Sequence, residues 1–244
     1  MKIGVLETGL IREELADRFE PYPIMFGSLL DQSGHQIEID STSVVRGEMP
    51  NSVHDCDGWL ITGSRHGVYD NLEWMPPLQD FIRKLADAQV PLVGVCFGHQ
   101  IIAQALGGQV VKSDKGWGVG LHKYFIDQSQ DWMQEHPEQV GIYAFHQDQV
   151  IELPDSAQVF LSSEFCPYAG LTYGDSIMSV QGHPEFEESY MTALLDQFGG
   201  NVVPSDVAAE ARSSMAGGQY ADTAMLASWI GEFLRFGEKL SKTG

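Results

Sequence analysis

Basic residues are scarce in this chain. Fourteen Lys and Arg stand against 34 Asp and Glu over 244 residues, a formal charge of −20, and such an acidic surface is repelled by phosphate backbones and anionic lipid headgroups. Neither nucleic acid nor a membrane surface is an expected partner. Long apolar runs are missing as well: none approaches the roughly 18 residues of a membrane span, and MKIGVLETG reads as a first strand and turn rather than a signal peptide. A cytoplasmic location is the expectation. Cysteine is rare, with only Cys56, Cys96 and Cys166, far apart and odd in number, which argues against both a disulfide framework and a CxxC zinc site. No HExxH sequence occurs, and no GxxxxGK[ST] phosphate loop; AGGQY around Gly217 lacks the context of a nucleotide site. No metal or other cofactor is expected.

What remains is an ordinary globular composition, 43% hydrophobic and 10% aromatic, long enough for one sizeable core and expected to form a single domain over residues 1–244. Strand-like apolar runs recur at Ile3 to Leu6, Gln36 to Ile39, Trp59 to Ile61, Val90 to Val95 and Val140 to Phe145, with helix-like segments between several of them. That alternation implies an α/β fold with a largely parallel central sheet and flanking helices. Met75 to Ala88 carries Leu78, Phe81, Ile82 and Leu85 as a helical stripe that stops before Pro91. Between Gln109 and Ile126 the chain is glycine-rich and partly alternating, as added antiparallel hairpins would be. Leu226, Trp229, Ile230, Phe233 and Leu234 mark one face of a last helix, in a C-terminal extension over approximately 201–244 expected to pack on the same domain.

Cys96 sits in LVGVCFGHQ, where an apolar strand gives way to a helix, with Gly94 and Gly98 two residues away on either side. G-x-C-x-G is a nucleophile elbow, a sharp turn whose small neighbours let a strained backbone lift the side chain above the sheet. The helix start favours a thiolate, and the Phe97 N–H is a natural oxyanion donor. Cys56 and Cys166 lack such a setting and read as small buried hydrophobes.

A cysteine nucleophile needs a base. IMSVQGHPEF offers His183 and Glu185 after a strand-like run from Ile177 to Gln181, with Pro184 restricting the backbone between two side chains that point the same way. Glu185 could then orient the imidazole for proton exchange with Cys96. FHQDQV repeats the i, i+2 spacing with His146 and Asp148 at the end of another strand, and spacing alone does not choose between the two. His99 reads as a packed helix residue.

At these motifs the chain resembles the class I glutamine amidotransferases, in particular free-standing proteins similar to the glutaminase domain of GMP synthase, over roughly Val5 to Phe198. The resemblance implies a flavodoxin-like fold and a Cys-His-Glu triad. GVCFGHQ matches the family's elbow, which makes Cys96 the nucleophile, Phe97 an oxyanion donor and Gln100 a glutamine contact. GHPEF matches the family's HPE, giving His183 the role of base and Glu185 that of its orienter, so His146 loses the contest. DGWLITGS resembles the strand and glycine turn that supply the second oxyanion N–H, here Gly63, with Ser64 where many relatives have another glycine. FHQDQV falls where relatives hold the amino-acid end of the substrate, so Phe145, His146, Gln147 and Asp148 become substrate-contact candidates, Gln147 replacing a glycine.

The activity implied is hydrolysis of the γ-amide of glutamine, or of a related γ-glutamyl compound, through a γ-glutamyl thioester. A separate synthetase or acceptor subunit is the partner that such chemistry brings to mind. Two other readings remain open: a peptidase acting on γ-glutamyl conjugates, and a noncatalytic redox-responsive or partner-binding protein on the same fold.

Overall fold

Strands that read as unbroken apolar runs assemble side by side at one end of the sheet. In a computed structural model, which describes residues 1–135, 137–216 and 220–241, β1 (Lys2–Leu6), α1 (Tyr22–Asp31), β2 (Glu38–Thr42), β3 (Gly58–Ile61), α2 (Met75–Asp87), β4 (Leu92–Val95) and α3 (Phe97–Ala105) come first. Then follow β5 (Gln109–Lys112), β6 (Gly118–Ile126), β7 (Gln139–His146), β8 (Asp148–Glu152), β9 (Ala157–Ser162), β10 (Gly170–Tyr173) and β11 (Ile177–Val180). Three helices close the chain: α4 (Glu188–Phe198), α5 (Ser205–Ala216) and α6 (Thr223–Ser241). Of the AGGQY segment, residues 217–219, Gly217 among them, lie outside the described residues.

Nine strands form one sheet in the order β2-β1-β3-β4-β11-β10-β9-β6-β7. The first five pair in parallel and the rest antiparallel. Every residue of β3, β4 and β11 is buried, as expected where helices cover both faces of a parallel block. Side chains alternate between two apolar layers: Ile3, Val5, Leu60, Val93 and Val95 join Phe26 of α1 and Trp229 and Phe233 of α6. Leu6, Trp59, Ile61 and Leu92 join Leu78, Phe81 and Leu85 of α2 and Ile101 of α3.

Three sequence expectations change. The second strand begins later, at Glu38, because Lys2 to Leu6 of β1 pair with Glu38 to Thr42; this is an edge strand, so its outward residues are polar and the apolar run marks only its start. Val140 to Phe145 belongs to β7, at the far antiparallel edge rather than in the parallel block. The stretch from Gln109 to Ile126 forms strands that do not pair with each other: β5 pairs with β8, and β6 with β7 and β9. The local alternation was legible there, but its partners come from later in the chain.

The last helix inserts its apolar stripe into the first layer. Leu226, Trp229, Ile230, Phe233 and Leu234 are all buried, and Trp132 meets Trp229 and Phe233 edge-on, at 6.2 and 5.9 Å between ring centroids. No helix among the described residues is long and apolar enough to cross a membrane. Trp229→Ala should lower unfolding free energy by about 3–5 kcal/mol, as truncation of a fully buried aromatic does. Phe236→Ala, at a position 38% exposed, should stay within about 0.5 kcal/mol of the parent. Equilibrium urea unfolding checks both.

Candidate active site

The parallel strands end together, and the site lies above their carboxyl ends, where open α/β sheets bind ligands. Cys96 follows β4 and starts α3 with φ 52° and ψ −100°, a region that non-glycine residues enter only under constraint. The constraint is visible on both sides. Its N–H donates to Val180 O at 2.9 Å, prolonging the β4–β11 pairing, and its carbonyl accepts from the Gln100 N–H at 3.1 Å, beginning the helix. A Cβ on Gly98 would lie 2.4 Å from Ile61 O, and one on Gly94 would lie 2.7 Å from the Gly98 carbonyl. Both elbow glycines are therefore required by close backbone approach.

His183 lies just beyond β11, tied to β7 by its N–H donating to Tyr143 O at 2.7 Å. Its Nδ1 is 2.7 Å from Glu185 Oε1, with both side chains almost wholly buried. Phe186 stacks flat on the imidazole, 3.9 Å between centroids and 7° between planes. Burial alone would lower the His183 pKa, but the Glu185 carboxylate and the Cys96 sulfur, which hydrogen-bonds to it, raise it above its ordinary value. Cys96, His183 and Glu185 are thus one contiguous set.

The rival pair does not form such a set. His146 ends β7 and Asp148 begins β8, so the chain turns between them; His146 Nδ1 is 3.2 Å from the Asp148 backbone carbonyl, while the Asp148 carboxylate accepts from Tyr69 Oη at 2.8 Å. Burial first, then the neighbouring histidines, lower His146 to about 3 and keep it neutral. It nevertheless lines the same cavity of about 330 Å³, together with Cys96, Gln100, Phe145, Gln147 and Asp148.

The remaining candidates have definite places. A Cβ on Gly63 would lie 2.8 Å from His183 Cε1 and 3.7 Å from Cys96 Cβ, so this backbone borders both side chains. Phe97 buries its ring against Trp74, 5.5 Å between centroids, and its N–H is among the unpaired donors of a helix start. Gln100 Nε2 donates to Asp148 O at 2.9 Å and Gln181 Oε1 at 3.1 Å, so it braces α3 against β8. Phe145 packs on Trp117, and the Gln147 carbonyl accepts from the Ser113 N–H. His99 is buried, with Nδ1 2.8 Å from Ser179 Oγ.

Several neighbours went unread in the sequence. Thr8 and Thr62 form a buried clasp: the Thr8 N–H donates to Thr62 Oγ1 at 3.0 Å and Thr8 Oγ1 donates to Thr62 O at 2.9 Å. Arg12, Arg65, Tyr69 and Trp117 line the cavity. Position could have flagged the clasp, since each threonine stands just past the end of a parallel strand, where sites are built.

With this geometry in view, the comparisons with known proteins decide the family. The glutamine amidotransferase class-I family model matches residues 28–211. The chain belongs to that family. It is similar to gamma-glutamyl peptidase 3 of Arabidopsis thaliana, 30% identical over 200 residues, which cover 78% of this chain and 80% of the relative. Gamma-glutamyl peptidase 4 of the same plant is 33% identical over 183 residues, 72% of each chain. In structure it resembles a glutamine amidotransferase from Thermotoga maritima, with a TM-score of 0.70 at 17% identity over 96% of this chain and 97% of that one; this likeness speaks for the shared α/β fold.

The three thiols should differ in reactivity. Burial raises Cys56 to about 11 and Cys166 to about 12, whereas Cys96 opens onto the cavity. Iodoacetamide at neutral pH should modify Cys96 in the folded protein and reach Cys56 and Cys166 only after denaturation. Peptide mass spectrometry reads the sites.

Proposed function

We propose that this protein hydrolyses the γ-carboxamide bond of glutamine or of a related γ-glutamyl amine, with Cys96 as nucleophile, His183 as proton carrier and Glu185 as its orienter. The observation that carries this reading is the buried Glu185–His183 contact of 2.7 Å beside the elbow cysteine. A redox sensor has no use for a carboxylate-oriented imidazole. The peptidase names of the plant relatives support widening the substrate beyond glutamine.

The Cys96 thiolate attacks the γ-carbonyl carbon, and the carbonyl oxygen becomes an oxyanion facing the Gly63 and Phe97 N–H groups. As the tetrahedral adduct collapses, the carbon–nitrogen bond breaks and the amine leaves with the proton held by His183. Water then adds to the thioester carbonyl while His183 takes its proton, and glutamate departs as the thiolate re-forms. Glu185 holds Nδ1 throughout, which keeps Nε2 directed at the reacting atoms. Gln100, Phe145, His146, Gln147 and Asp148 form the wall assigned to the γ-glutamyl part.

Purified protein should release glutamate from at least one member of a panel of glutamine and γ-glutamyl amines, without ATP. Cys96→Ala should lose at least about 10⁴-fold in kcat, while Cys56→Ala and Cys166→Ala keep most of it. His146→Ala should chiefly raise KM. Undiminished turnover by Cys96→Ala would refute the mechanism. Activity that emerged only with a companion synthetase present would mark the chain as a partner-gated glutaminase.

The pH dependence follows from the raised His183 pKa. Acylation needs the imidazolium proton, so its rate falls as pH rises through the raised pKa of His183. Glu185→Gln removes a negative charge that favours the protonated form, so the falling alkaline limb should move to lower pH, together with a loss of about 10²–10⁴-fold in rate. Single-turnover acylation across pH measures both; an unmoved limb would separate Glu185 from His183 titration.

A further inference from the structure

Three of the chain's 14 basic residues, Arg12, Arg65 and Lys112, line the cavity that holds Cys96. In a protein of charge −20, cations left in a concave site attract an anionic group from solution. Lys112 has a natural counter-charge, because it stands opposite Asp148 in the β5–β8 pair. The two arginines do not. Among the described residues neither guanidinium makes a hydrogen bond or an ion pair, and Arg12 instead lies over the Phe198 ring, 4.9 Å from its centroid. The nearby Asp70 is engaged elsewhere, accepting from the Gly67 N–H at 3.1 Å and lying 3.6 Å from His66 Nδ1.

The two arginines share a neighbourhood by construction. Arg12 follows β1 and Arg65 follows β3, and those loops are locked together by the Thr8–Thr62 clasp. They also meet at Gly9, where a Cβ would lie 2.6 Å from Gly63 O. Both guanidinium charges act on His66, whose pKa is lowered first by burial and then by Arg65, with Arg12 adding to it.

Their side of the cavity follows from the leaving group. The departing amine is the atom His183 protonates, and His183 Cε1 faces Gly63, two residues before Arg65. Gln100, His146 and Gln147 reach the cavity from other elements, α3 and the β7–β8 turn. We infer that Arg12 and Arg65 form a subsite for a carboxylate on the departing amine, so that the preferred substrate is a γ-glutamyl dipeptide rather than glutamine. This inference rests on the γ-glutamyl hydrolase reading.

The test compares γ-glutamylglycine with γ-glutamylglycinamide, which share the glutamyl part and differ only in the carboxylate of the leaving amine. The acid should be favoured in kcat/KM by about tenfold or more, as a charge-assisted contact implies, and added salt should shrink the ratio. In Arg65→Gln, at an exposed position, and in Arg12→Gln with Arg65→Gln the ratio should fall toward one. A wild-type ratio of one, or a ratio untouched by the substitutions, overturns the subsite. Equal losses on both substrates would do so as well, placing the arginines on the glutamyl α-carboxylate. Calorimetric titration of Cys96→Ala with both compounds separates this failure from that of the hydrolase reading: tighter binding of the acid without turnover by the parent protein would keep the subsite and remove the reaction. Equal hydrolysis of both compounds would keep the reaction and remove the subsite, and neither turnover nor preferential binding would remove both.

Discussion

The backbone of Cys96 is held at φ 52° and ψ −100°, a conformation that costs a non-glycine residue on the order of 1–3 kcal/mol, and the elements around it are arranged to keep it there. Parallel pairing with β11 continues through the cysteine N–H, while α3 begins at its carbonyl. The contact of Gly98 with Ile61 presses that helix onto β3. Relaxing the turn would therefore require lifting α3 from the sheet or breaking the pairing of two fully buried strands. The strain is sustained by long-range packing, not by the residues of the turn.

The site joins two kinds of sheet. Parallel strands deliver the Thr8–Thr62 clasp, Gly63, Cys96 and His183 from one row of strand ends, all at similar height. Antiparallel strands β7 and β8 and the turn between them bring Phe145, His146, Gln147 and Asp148 to the same cavity. His183 belongs to both, since its side chain faces the parallel row while its backbone is bonded to Tyr143 of β7. One histidine is thus positioned by the seam between the two halves, and Phe186 stacked on it excludes water from its face. The neutral His146 in the same cavity adds no cation to compete with the His183 imidazolium.

What the sequence made legible is what depends on neighbours along the chain. The buried strands β1, β3 and β4, the stripe of α2, the elbow glycines and the His183–Glu185 spacing all show themselves within a few residues. His146–Asp148 carried the same spacing, and only the pairing of β5 with β8 and the reach of Tyr69 reveal why its carboxylate turns away. The antiparallel strands β9 and β10 escaped notice because they are short, six and four residues, although β10 pairs with its neighbours in sequence, β9 and β11. Arg12 and Arg65 are silent because what joins them lies far apart in the chain. Each is an ordinary loop arginine until Thr8 and Thr62 bring the two loops together.

The seam also determines when reactivity arises during synthesis. The elbow emerges early with β1, β3 and β4, but β11 and His183 follow only after all the antiparallel strands have left the ribosome. Until then Cys96 lacks both the Val180 carbonyl that accepts from its N–H and the His183 imidazole beside its sulfur. The strained turn and the Cys96–His183–Glu185 set are therefore completed only when the last central strand is seated.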